Sequence, residues 1–187
     1  QVHSATLESG VLDDGDVLDE LARVRAGGLA VGLTVSGPDQ ADVIRRALAV
    51  ERDGAPLFDS IQATWNVLER SAEGALAEAH AAGRGVIVKE ALANGRLTHR
   101  NAALPTGVRA ALQAALPEAG TPEAAALAAA CAQPFADVVL SGAATAAQVR
   151  DNVAAAGLCE RVDLTALDGV AEEPASYWAT RRGLPWT

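Results

Sequence analysis

Asp137-Val138-Val139-Leu140-Ser141-Gly142-Ala143-Ala144-Thr145-Ala146-Ala147-Gln148-Val149-Arg150-Asp151-Asn152 passes from an apolar run through a small-residue turn into a helix, and its reading decides the fold. The β-branched run Asp137 to Leu140 predicts a strand buried on both faces, as in parallel sheets covered by helices. Ser141 to Ala144 carry no bulk, so a ligand meets backbone there. Thr145, with Gln148 three residues later, predicts a capping box and hence the start of a helix. A helix start offers unpaired N–H groups and a partial positive charge, worth about 0.3–1 kcal/mol to an exposed anion. The stretch therefore reads either as a phosphate cradle or as a plain strand-to-helix junction that binds nothing.

Outward from it the same rhythm repeats. Gln1 to Ser4 ends a strand, and Asp13 to Arg25 follows as a helix with Val17, Leu18, Leu21 and Val24 on one face, stopped by Gly27-Gly28. Leu29 to Thr34 is the next apolar strand; Pro38-Asp39 opens a helix striped by Val43, Ile44, Ala47 and Leu48, and Asp53-Gly54 closes that unit. Asp59 to Thr64 is a strand, Ser71 to Ala82 a helix ended by Gly83, and Gly85-Val86-Ile87-Val88-Lys89 the fourth strand. Leu92 to Gly120 then forms a long connection with a short helix near Gly107 to Leu116, a candidate lid. Thr121-Pro122-Glu123 opens an Ala-rich helix, with Thr as cap and Pro at the first helical position.

Strand then helix, repeated, predicts an α/β fold of parallel strands joined by right-handed crossovers. A doubly wound sheet and a (β/α)8 TIM barrel both satisfy the pattern. A barrel takes about 250 residues and eight units, whereas five units are legible here, in a single domain over 1-187. The chain opens inside a predicted strand and contains no Met, so it is expected to be a segment of a longer protein. Three further units of about 30 residues each would precede Gln1.

Half of the 187 residues are apolar, enough for a sizeable core. The net charge of -9 argues against nucleic acid and anionic membranes as partners, both of which select clustered Lys and Arg. No apolar run reaches the roughly 20 residues of a membrane span, and no signal-peptide pattern opens the chain. Cys131 and Cys159 are isolated and lack metal-ligand spacing, which predicts a reduced, cytoplasmic protein.

Ligands of parallel β/α folds sit at the carboxyl ends of the strands. The polar residues there are His3, Thr34, Ser36, Gln62, Asn66, Lys89, Glu90 and Asn94. Lys89 closes an apolar run; desolvation could make it a Schiff-base amine, or Glu90 keeps it charged beside an anionic ligand. His3 either donates a hydrogen bond to a substrate carbonyl or caps a loop.

Taken in order, His3, Gly32-Leu33-Thr34, Ile61-Gln62-Ala63-Thr64-Trp65-Asn66, Leu92-Ala93-Asn94-Gly95-Arg96-Leu97-Thr98, and Ser141-Gly142-Ala143 with Gln148 and Asp151-Asn152 resemble the aldo-keto reductase family. Tyr177-Trp178-Ala179 and Leu184-Pro185-Trp186 resemble the closing segment of its bacterial members. The resemblance implies a (β/α)8 TIM barrel, of which this chain carries the fourth strand onward, about five β/α units plus the C-terminal tail. It implies an NAD(P)-dependent oxidoreductase moving hydride between nicotinamide and a small-molecule carbonyl or alcohol, an aldehyde, ketone or sugar, with no metal. His3 then matches the histidine that orients the carbonyl. Thr34, Ser36 and Gln62 match contacts to the nicotinamide carboxamide, while Lys89, Leu92 and Asn94 fall in the cofactor-lining segment after the next strand. Gly142 and Ala143 match the phosphate contact, and Gln148, Asp151 and Asn152 the adenine end.

Three positions depart from the family pattern. Val35 replaces the usual Asn beside the carboxamide, Lys89 stands where an aromatic ring commonly stacks, and Gln148 where Arg often meets the 2′-phosphate. NADP is the cofactor implied, with NAD left open. The family's proton-donating Tyr and its supporting Lys and Asp come from earlier strands, so this chain alone is expected to be inactive; Tyr177 belongs to the tail. Two other readings stay open. Gly85 to Glu90 superficially resembles the lysine strand of class I aldolases, which would make Lys89 the Schiff base of a lyase. Alternatively, an open arc of five strands is a non-catalytic nucleotide-binding or oligomerisation module that self-associates through its exposed edges.

Overall fold

The computed structural model describes residues 1–184, so Pro185 and Trp186 of the proposed closing segment lie outside the described residues. In chain order the elements are β1 (Val2–Ala5), α1 (Gly15–Ala26), β2 (Gly32–Val35), α2 (Gln40–Leu48), β3 (Glu51–Arg52), β4 (Ala55–Pro56), β5 (Ser60–Thr64), α3 (Glu73–Ala81), β6 (Gly85–Lys89), α4 (Thr106–Ala115), α5 (Pro122–Cys131), β7 (Val138–Val139), α6 (Ala146–Ala156) and α7 (Pro174–Arg182). The chain divides into two compact units, the first made of Gln1–Thr64 and Ser71–Ile87, the second of Trp65–Arg70 and the residues from Val88 onward.

In the first unit β1, β2 and β5 are parallel neighbours, and β6 joins beside β5, with Gly85 N–H donating to Asp59 O at 2.9 Å. Side chains alternate along these strands. Leu33, Val35, Ile61 and Ala63 are fully buried on one face, while Gly32, Thr34, Ser60 and Gln62 occupy the other. The absence of a side chain at Gly32 is needed: a Cβ there would lie 2.5 Å from Ser60 Oγ. Helices α2 and α3 pack on each other, burying Val43, Ile44 and Ala47 of the one and Ala75, Leu76 and Ala79 of the other. Gln40 is wholly buried because its carboxamide grips the end of β5, Nε2 donating to Thr64 O at 3.0 Å and Oε1 accepting from Thr64 N at 3.2 Å.

Three expectations from the sequence change here. The strand expected from Leu29 begins at Gly32 instead, and Leu29 is 65% exposed. The cause is Asp59, whose carboxylate accepts from Val31 N–H at 2.8 Å and holds Arg25, so strand pairing starts only at Gly32. On α1 only Leu18 is buried; Val17 and Val24 of the expected apolar face are exposed, because the helix meets its unit mainly at the short β3 strand. Asp53-Gly54 does not simply end a unit but turns the antiparallel β3–β4 hairpin, both residues at positive φ (54° and 73°), the geometry of a type I′ turn.

In the second unit the end of β6 pairs with β7, Leu140 N–H donating to Val88 O at 2.9 Å. The strand expected to be buried on both faces is two residues long, with Val138 and Leu140 exposed. Among the described residues β7 has a strand neighbour on one side only, which places it at the edge of the sheet. The core gathers Leu97, Leu112, Leu116, Leu167, Tyr177 and Trp178 around the alanines of α5. Those alanines let α4 and α6 approach closely, and Thr121 Oγ1 caps α5 by accepting from Ala124 N at 3.2 Å. The Leu92–Gly120 connection is anchored by buried Leu97, Leu104, Leu112 and Leu116 and by His99, which bonds Glu123 through its ring and backbone. Among the described residues no helix is long and apolar enough to cross a membrane.

Candidate functional site

In the first unit Thr34 and Gln62 are register partners on adjacent parallel strands, which puts a hydroxyl and a carboxamide side by side on the polar face. Thr34 is buried and Gln62 half-buried, and Ser36 follows directly after β2. A paired hydroxyl and carboxamide donate and accept together, which suits a ligand amide. His3 lies on β1 where the register slips: Val2 pairs with Leu33 and Ala5 with Val35, so β1 carries one extra residue, and Ser4 takes φ 54°. The bulge leaves His3 exposed, its Nδ1 3.0 Å from Ser4 Oγ.

The second unit holds the segment after β6. Lys89 is half-buried, and burial pulls its ammonium below the ordinary range against the opposing pull of Glu90. Leu92 packs against the core, while Glu90, Ala93 and Asn94 adopt positive φ. Glu90 is held by Arg181 of α7, with Nη2 to Oε1 at 2.9 Å and Nε to Oε2 at 3.1 Å. In the orientation that satisfies its neighbours, the Asn94 carboxamide donates to Glu90 Oε2 at 3.0 Å and accepts from Arg181 Nε at 2.9 Å. Asn66 is buried and saturated: Nδ2 donates to Glu90 O at 3.0 Å and to Tyr177 OH at 2.9 Å, and Oδ1 accepts from Leu68 and Glu69 N–H, both at 3.0 Å. Burial pushes the Tyr177 phenol above its ordinary value, and the Arg96 guanidinium lies over its ring.

The turn after β7 has the expected capping box. Thr145 Oγ1 accepts from Gln148 N at 3.2 Å, and Gln148 Oε1 accepts from Ala144 N at 2.8 Å and Thr145 N at 3.1 Å. Those three amides are consumed internally. Ser141, Gly142 and Asp151 are exposed, Ala143 and Asn152 half-exposed, and Asn152 Nδ2 donates to Ser141 O at 3.3 Å. Gly142 takes φ 60°, and no heavy atom lies within 4 Å of where a Cβ would stand, so the turn is open to a ligand. The sequence marks Asn66 and Glu90 as candidates but not Arg181 or the partnership of Tyr177. The one hint is that Tyr177 is the only tyrosine in an aromatic-poor chain.

Parallel strands joined by helices, with polar groups gathered at strand ends, define an α/β protein of the β/α-unit class. Within that class the model of the aldo/keto reductase family matches residues 10–164, and the chain belongs to that family. The family fold is the (β/α)8 TIM barrel, and the β/α units seen here are those of part of one. The chain is similar in structure to the aldo-keto reductase AKR11C1 from Bacillus halodurans. The holo form gives TM-score 0.63 at 22% identity over 91% of this chain and 60% of that one, and the apo form 0.63 at 22% over 91% and 61%. The chain thus spans about 60% of the length of those reductases. Comparison with curated proteins gives no match.

Proposed function

We propose that this chain provides the nicotinamide-binding portion of an NAD(P)-dependent oxidoreductase acting on a small carbonyl or alcohol. The observation that carries the reading is the register pairing of Thr34 with Gln62, which presents a hydroxyl and a carboxamide together. When bound, the nicotinamide supplies or accepts hydride. Thr34 and Gln62 hold its carboxamide in the first unit, with Ser36 beside them. In the second, Gly142 offers open backbone to phosphate, Ala143 N–H lies beside it on Ser141 Oγ at 3.4 Å, and Asp151 and Asn152 serve the adenine end. Gln148, being committed to the capping box, supplies no cation for a 2′-phosphate. His3 polarises the substrate carbonyl by donating a ring N–H to it, with Nδ1 3.0 Å from Ser4 Oγ.

The test is fluorescence titration of the chain with NADPH and NADH. Saturable binding of either is expected, without carbonyl reduction. Gln148→Arg is expected to favour NADPH over NADH about tenfold relative to wild type, the scale of one added charge-assisted bond. The lowered Lys89 ammonium favours a lyase, as does the likeness of Gly85 to Glu90 to an aldolase lysine strand. Borohydride trapping with a ketone or aldehyde separates the two, since a covalent adduct on Lys89 would replace the reductase reading.

A further inference from the structure

Three of the five residues from Glu90 to Asn94 hold positive φ, at 56°, 48° and 54° for Glu90, Ala93 and Asn94. Non-glycine residues keep that conformation only where their surroundings over-determine it. Here the constraint comes from α7. Arg181 grips Glu90 with both nitrogens of one edge, and the pair is shielded, its side chains only 14% and 17% exposed. Asn94 closes the triad by bonding both partners. Tyr177, one turn earlier on α7, shares Asn66 with the Glu90 carbonyl. The planar guanidinium fork fixes direction as well as distance, which a point charge does not.

We infer that Arg181 is a positioning residue: through Glu90 and Asn94 it fixes the turn after β6, and cofactor contact by Leu92 and Asn94 depends on that hold. The inference rests on the proposed cofactor role. It also alters the part assigned to Asn94, whose carboxamide is spent on Glu90 and Arg181, so the residue serves the cofactor through the shape of its turn.

Backbone hydrogen exchange and NADPH titration on the 187-residue chain test this, comparing wild type, Arg181→Gln and Arg181→Lys. The reporter amides are those of Ala93, Gly95, Arg96 and Leu97, each bonded within the turn. Arg181→Gln is expected to speed their exchange about tenfold and raise the NADPH Kd about tenfold, with amides of α2 and α3 unchanged. Arg181→Lys, which keeps the charge but not the fork, is expected to fall between. Should Arg181→Gln not fold, Asn94→Ala carries the same comparison. Unchanged exchange in the turn overturns the inference, as does faster exchange with an unaltered Kd. Faster exchange in a chain whose wild type binds neither NADPH nor NADH upholds the hold of Arg181 on the turn and overturns the cofactor reading instead.

Discussion

Asn66 shows how much one buried side chain can hold. Its amide satisfies the turn it begins, the carbonyl of Glu90 and the hydroxyl of Tyr177, with no exposure to water. Asn66→Ala leaves several buried groups unpaired and is expected to cost about 3 kcal/mol, read as a lower urea midpoint at unchanged m-value. Asn66 and Glu90 are legible in the sequence as polar residues at strand ends. Their partners are not, since Tyr177 lies 111 residues from Asn66 and Arg181 lies 91 from Glu90, distances over which no local pattern reaches. Two charges give pH signatures of the same sign at opposite ends of the pH scale. The Arg25 hydrogen bond holds the Asp59 carboxyl below its ordinary value, so its contribution is present above that value and is lost as pH falls through the lowered one. Asp59→Asn is expected to flatten the acid limb of a stability-versus-pH curve. Burial lowers Lys89, so the folded chain binds fewer protons there than the unfolded one, and stability rises as pH climbs toward the ordinary lysine value of 10.5. Lys89→Met is expected to abolish that alkaline rise.

At the scale of elements, caps are legible because their chemistry is local. Thr121 and Thr145 cap α5 and α6 as their sequence positions predict. Thr145→Ala is expected to cost about 1 kcal/mol by thermal denaturation. Gln148→Ala should cost a similar amount, since it frees the two amides its side chain holds. The turn read as a phosphate cradle thus spends several of its amides on its own helix. Gly142 remains the open part. Strand burial is less legible. Val138 and Leu140 have the composition of a doubly covered strand, yet coverage is set by neighbouring elements rather than by the run itself. Leu29 departs for a related reason: a carboxylate 28 residues beyond Val31 takes the amide that would have begun the strand. The Asp-Gly hairpin is written in the sequence, two left-handed residues between short strands, and its brevity hides it.

At the scale of the molecule, the alternation of strand and helix, not any single motif, carries the fold class, and the family match over residues 10–164 agrees with it. The proposed role of the chain as a nicotinamide binder is tested most directly by titrating it with NADPH and NADH beside the Gln62→Ala variant. Saturable binding of at least one cofactor is predicted, weakened about tenfold by loss of a carboxamide worth roughly one hydrogen-bond pair. Absence of saturable binding, or binding that Gln62→Ala leaves unchanged, would contradict it.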